Sequence, residues 1–240
     1  MFRKTDVESG GGGGGSSRTL YPTMLENPQL RWSFIRKVYS IITFQLLLTV
    51  AVASVVVFVR PVANFFVGST QGLIVLMIVP FITLCPLYCY RQKHPLNYFL
   101  LLIFTVTLAF AVGLSCAFVS GKVILEAFIL TTVVVISLTL YTFWAARRGH
   151  DFSFLGPFLF GALLVLIVFA LIQILFPLGK LGHMIYGCLA AIIFCGYIVY
   201  DTDNLIKRFS YDDYIWASVC LYLDIINLFL SLVTVFRAAD

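Results

Sequence analysis

Two aspartates sit inside apolar sequence near the end of this chain: Asp201 closes the run IIFCGYIVYD, and Asp224 interrupts VCLYLDIINLFL. A carboxylate within a membrane span costs about a few kcal/mol or more, and by default it marks a proton or ion pathway with a partner to be named. Here each aspartate has the other. The spacings Asp201-x-x-Asn204 and Asp224-x-x-Asn227 put a polar pair on one helix face at i, i+3. Two carboxyl groups in contact away from water cannot both ionise cheaply, so they share a proton and titrate as a pair. Such a pair is a pH-sensitive latch: with one proton it holds two helices together, and doubly ionised it repels or recruits a cation. Hard oxygen ligands suit calcium, which makes Asp201 and Asp224 candidate transient calcium ligands. Arg91, at the end of the second apolar segment, is the candidate counter-charge. Asp203 points away from Asp201 and is expected to face the cytosol.

Two blander or different chemistries compete with the latch. A buried polar network can serve only to fix helix register. Intramembrane aspartyl proteases place one aspartate in a Tyr-Asp context, which Tyr200–Asp201 matches. Their GxGD is here Leu221-Tyr222-Leu223-Asp224, and no Pro-Ala-Leu run follows, so the chain is expected to be no enzyme. The remaining polar residues within spans read as structural. Lys122 and Glu126 form an i, i+4 interfacial pair, Gln45 and Gln173 make interhelical hydrogen bonds, and the Tyr211-Asp212-Asp213-Tyr214 stretch is a solvated turn. His150–Asp151 and His183 fall in loops and join no nucleophilic serine.

The elements that must position the two aspartates are membrane helices. The chain of 240 residues is 61% hydrophobic and 11% charged, with mean hydropathy +1.00, far from the composition of a soluble domain. Seven apolar segments are expected to cross the bilayer, at about 34–59, 72–90, 97–118, 123–145, 154–177, 182–206 and 215–236. Lipid cannot satisfy free backbone groups, so each must be helical and the fold class is an all-α membrane bundle. Residues 1–32, with glycine from Gly10 to Gly15, are expected to be a disordered cytosolic tail, and 33–240 the membrane domain. The first span would itself serve as targeting signal, and Trp32 suits an interfacial anchor. Twelve of the 16 Lys and Arg residues fall on the N-terminal side of the predicted spans, which puts the N-terminus in the cytosol.

Depth allows the aspartates to meet. Asp201 would lie about 8 Å and Asp224 about 14 Å below the cytosolic interface, within the uncertainty of span boundaries. The six cysteines all fall in apolar stretches and act as small packing residues, not a disulfide framework or a metal site. Gly113, Gly161, Gly187 and Gly196 suit close helix approach. No basic patch interleaved with aromatics is present, so nucleic acid is not an expected partner.

These residues resemble the transmembrane Bax inhibitor motif family, and within it the Lifeguard group, over nearly all of residues 20–240. The resemblance is carried by Leu20-Tyr21-Pro22, by Arg31 through Tyr39, by Cys85-Pro86-Leu87 and by Leu138 through Trp144. It is sharpest at Gly196-Tyr197-Ile198-Val199-Tyr200-Asp201-Thr202 and at Leu221-Tyr222-Leu223-Asp224-Ile225-Ile226-Asn227-Leu228-Phe229. Asp203 through Arg208 looks like the plant branch. The resemblance implies seven helices with the last at the centre of the bundle, a pH-dependent calcium leak, and suppression of cell death. In it Asp201 and Asp224 match the pH sensor, and Arg91 falls where a bacterial relative places the basic residue that pairs with the sensor. Asn204 and Asn227 would support the pair, and calcium would be the permeant ion with no cofactor. The expected partners are the lipid bilayer, calcium and other membrane proteins of cell-death pathways. An endomembrane (endoplasmic reticulum, Golgi or vacuole) is expected ahead of the plasma membrane. The competing reading from the interaction class is a non-conducting scaffold that restrains cell death through protein partners.

Overall fold

The computed structural model describes residues 19–68, 70–176 and 178–240, with the side chains of 60, 62, 67 and 70–77 left aside. The Gly10–Gly15 tract therefore lies outside the described residues. The helices are α1 (Pro28–Phe58), α2 (Arg60–Val67), α3 (Thr70–Cys89), α4 (Leu96–Cys116), α5 (Gly121–Arg147), α6 (Leu155–Leu175), α7 (Gly179–Lys207) and α8 (Tyr214–Ala239), with a 3₁₀ turn at Tyr211–Asp213 before α8. Among the described residues there is no strand.

A helix occupies each of the seven apolar segments, as lipid requires of a backbone with no water to bond. Six elements are long and apolar enough to cross a membrane: α1, α4, α5, α6, α7 and the 3₁₀ turn with α8. Among the described residues α3 meets the apolar requirement over the shorter stretch Ile78–Cys89. The chain is thus a multi-pass membrane protein with six such spans and one shorter apolar stretch among the described residues.

α1 starts earlier than the apolar run suggests, because Asn27 accepts the N–H of Gln29 and Pro28 occupies the first turn. The preceding segment is ordered as well: Leu20 is buried in the main core. Within the stretch expected as tail, residues 28–32 are helical and Leu20 packs into the core. α2 was not legible as a helix, since eight residues give too short a period. It is held by Ala63 and Phe66 against Val56, Leu114, Ala117 and Phe110.

α8 packs along α7 and also touches α1, α4 and α5. α6 is peripheral, packs on α7, and buries only Leu159 and Leu166. Lipid removes the hydrophobic drive between helices, so small residues and polar contacts hold the bundle. Gln45 on α1 donates to Thr105 Oγ1 on α4 at 3.0 Å, and Thr49 Oγ1 lies 2.7 Å from the hydroxyl of the fully buried Tyr222 on α8. Gln173 reaches the Gly182 carbonyl of α7 at 3.0 Å. The exposed Lys122–Glu126 pair is 3.8 Å apart at i, i+4, and all six cysteines are free.

Two glycines let helices touch backbone to backbone. A Cβ on Gly113 would come within 3.0 Å of Ala53 Cα on α1, and one on Gly187 within 2.9 Å of the Ser231 carbonyl on α8. Among the described residues nothing lies within 4 Å of a Cβ placed on Gly161, so the close approach expected there is not made. Gly187→Ala should therefore lower stability by about 1–3 kcal/mol, read as a drop in melting temperature in detergent, while Gly161→Ala should be neutral or slightly stabilising.

Candidate functional site

The site is built on the α7–α8 hairpin. A tight link of Arg208–Ser210 and the 3₁₀ turn folds α8 back on α7. This brings the carboxyl groups of Asp201 and Asp224 within hydrogen-bonding reach of each other. Asp224 is 6% exposed, and its Oδ2 has no hydrogen-bond partner. Tyr197 on α7 and Cys220 on α8 lie near both carboxyl groups.

The two asparagines behave differently. Asn204 Nδ2 donates to Asp201 Oδ1 in a long bond of 3.5 Å. Asn227 Nδ2 instead donates to the Leu223 carbonyl of its own helix at 2.8 Å. The matching stripes expected from the repeated spacing are one-sided, because an i−4 carbonyl was the nearer acceptor for Asn227.

Arg91 does not form an ion pair with either aspartate. Its Nε donates to Asp213 Oδ1 at 2.8 Å, and its guanidinium lies 4.4 Å from the Tyr88 ring centre. The Asp213 hydrogen bond holds the Arg91 pKa above its ordinary value. Asp203 corrects a second expectation. Two residues along a helix is about a 200° turn, so it does point away from Asp201. However, it points into protein and is fully buried. Lys207 Nζ sits 2.5 Å from its Oδ1, and the Phe152 N–H of the α5–α6 loop donates to its Oδ2 at 3.3 Å.

The Tyr211–Tyr214 stretch is not a free solvated turn but a junction. The Tyr211 hydroxyl donates to Glu26 Oε2 at 2.6 Å. Arg31, 2% exposed, donates to the same Glu26 oxygen at 2.5 Å and to the Phe209 carbonyl at 2.6 Å, and lies over the Tyr211 ring. The Tyr211 and Arg31 hydrogen bonds, in that order, lower the Glu26 pKa. Gln92 adds a 3.0 Å bond to Asp213. The Tyr214 hydroxyl lies 2.7 Å from His94 Nε2, with Lys37 Nζ 3.2 Å from the Tyr214 ring centre. A periodicity search cannot find these partners, because each comes from a distant part of the chain.

On the opposite flank, Asp151 in the α5–α6 loop accepts from Arg208 Nη2 at 2.6 Å. Burial works to raise the Asp151 pKa, but the Ser153 N–H and hydroxyl, then Arg208, outweigh it and bring it down to about 2. Among the described residues no group of three or more His, Cys, Asp and Glu side chains could hold a metal ion.

The family described as Inhibitor of apoptosis-promoting Bax1 matches residues 31–240, a stretch that includes both aspartates. The chain belongs to this family. Protein LIFEGUARD 4 of Arabidopsis thaliana is 75% identical over 242 residues, covering 100% of this chain and 97% of that protein. Protein LIFEGUARD 2 of the same plant is 69% identical, covering 99% and 98%. More distant is the Golgi anti-apoptotic protein of vaccinia virus (strain Lister), 37% identical over 211 residues, covering 88% and 87%. Membership of the family and likeness to the Lifeguard proteins bear out the resemblance read from the sequence.

Proposed function

We propose that the chain is a pH-sensitive calcium leak of an internal membrane that suppresses cell death, with the Asp201–Asp224 pair as its gate. The observation that carries this reading is the contact of two carboxyl groups in apolar surroundings, one of them nearly sealed from solvent. With one proton between them, the pair ties α7 to α8 and closes the end of the path nearest the N-terminus. Without that proton, two negative charges face each other and either separate or draw in a cation. Calcium passes as cargo and takes Asp201 and Asp224 as transient oxygen ligands. The supporting features are α8 touching four other helices, the family description, and the name of the viral relative, which places that protein's action in the Golgi and against apoptosis. In the same reading α3 completes seven crossings around α8, and the N-terminus faces the cytosol.

Arg91 enters the gate as an anchor and not as the counter-charge of the pair. By holding Asp213 it fixes the 3₁₀ turn ahead of α8 to the residues just past α3. Arg91→Ala and Asp213→Ala should therefore raise basal leak to a similar extent, and the double variant should leak no more than either. Additive effects would separate the two residues. The parent test is calcium entry into dye-loaded liposomes holding the purified full-length protein, measured across pH. A rate equal to that of empty liposomes at every pH would leave the scaffold reading, for which the family description offers a protein target.

A further inference from the structure

The cation nearest to the aspartate pair along hydrogen bonds is Arg208, which closes α7. Its Nη1 donates to Asn204 Oδ1 at 2.6 Å, and its Nη2 donates to Asp151 Oδ1 at 2.6 Å. Asn204 turns its other end, Nδ2, to Asp201 Oδ1 at 3.5 Å. Asp201 in turn meets Asp224, whose Oδ2 is buried and without a partner. A single row of polar groups thus runs from an exposed ion pair on the α5–α6 loop to the sealed carboxyl. Its direction is set by chemistry. Guanidinium only donates, carboxylate only accepts, and a side-chain amide has one end of each kind. Turning the Asn204 amide over would set oxygen against oxygen and N–H against N–H, so Asn204 can only link a cation to an anion.

We infer that Arg208 is the positioning cation of the aspartate pair, that it acts through Asn204, and that Asp151 on the α5–α6 loop competes for it, which makes that loop a control surface for the gate. The inference rests on the reading that the pair titrates. Held by Asp151 at one end and Asn204 at the other, the guanidinium divides its field between loop and pair. Drawing Arg208 toward the loop weakens the support for a charged Asp201, and releasing it strengthens that support. The other charges nearby are accounted for. Asp203 Oδ2 lies 3.8 Å from Arg208 Nη1 and draws on the same guanidinium, while its Oδ1 is matched by Lys207, which also donates to the His150 carbonyl and lies 3.9 Å from Asp151. Tyr197 and Cys220 face the pair itself. Asp151, with its pKa near 2, keeps its charge across the range in which a buried pair exchanges its proton.

The test follows the protonated-carboxyl infrared band of purified full-length protein as pH is varied, assigned by its loss in Asp201→Asn and Asp224→Asn. This reading needs no ion flux, so a protein that conducts nothing still reports. Arg208→Gln should move the midpoint up by about half a pH unit, and Asp151→Asn should move it down by a similar amount. An ion pair that only ties the loop to α7 is broken by both variants and shifts the midpoint the same way in each. Opposite shifts therefore support the inference, and parallel shifts or none overturn it. In an Asn204→Ala background Asp151→Asn should leave the midpoint in place; a full shift there would overturn the route through Asn204. If no carboxyl band titrates, the gate itself is lost and this inference with it.

Discussion

Asp224→Asn should flatten the pH response of calcium flux in liposomes, and Asp201→Asn should do the same. One shared proton can change the open fraction by at most about tenfold per pH unit, which sets the steepest slope the parent can show. An amide in either position cannot ionise, so the remaining carboxyl gains a neutral neighbour and the repulsion that drives opening never arises. The residual pH dependence should fall below about twofold over the same range. Asn is nearly the size of Asp and can still donate to the remaining carboxylate, so helix packing should survive and thermal melting should stay close to that of the parent. If both variants keep the parent's slope, the pair is only a structural fastener.

Removing Arg31 should have the largest effect on folding. Its guanidinium is buried, and it holds the Phe209 carbonyl, Glu26 and the face of Tyr211 together. Arg31→Ala leaves the Phe209 carbonyl without this donor, opens a cavity the size of a long side chain and frees the segment before α1. A cost of about 2–4 kcal/mol is expected, from charged hydrogen bonds lost together with packing. It should appear as a melting temperature lowered by several degrees in detergent, and as early proteolytic cleavage ahead of Pro28. Arg31→Lys should recover only part of this, since an ammonium cannot reach two acceptors while lying flat on an aromatic ring. Full stability in Arg31→Ala would mean that the junction forms without it.

Helix positions were legible because an apolar run of twenty residues has one solution in lipid, and the aspartates stood out because nothing in a bilayer excuses their cost. Their place on two adjacent helices was legible from the short link between α7 and α8. The partners of the cations were not. Arg31 and Phe209 are 178 residues apart, Arg91 and Asp213 are 122 apart, and Arg208 and Asp151 are 57 apart. No period connects such pairs, and only the packing of α1, α3 and α5 around the hairpin brings them together. Asp203 shows the same limit from the other side. Its helix face could be read from spacing, but the loop that covers that face could not.

The two approaches that hold α8 have a mechanical consequence. Beyond the aspartates, Gly187 presses its backbone against Ser231 and Val235. Before them, Arg31, Arg91 and His94 secure the link and the first turn. The stretch of α8 that carries Asp224 is therefore clamped at both ends and pinned once between them, where the Tyr222 hydroxyl lies 2.7 Å from Thr49 Oγ1. In the proposed gate, repulsion at the aspartates is kept from peeling the hairpin apart or sliding one helix past the other, and is left to bow the short span between these holds. Displacement is then greatest at the charged pair itself and fades within a few turns, so a passage opened this way is narrow, local and closed again by the elasticity of the helix.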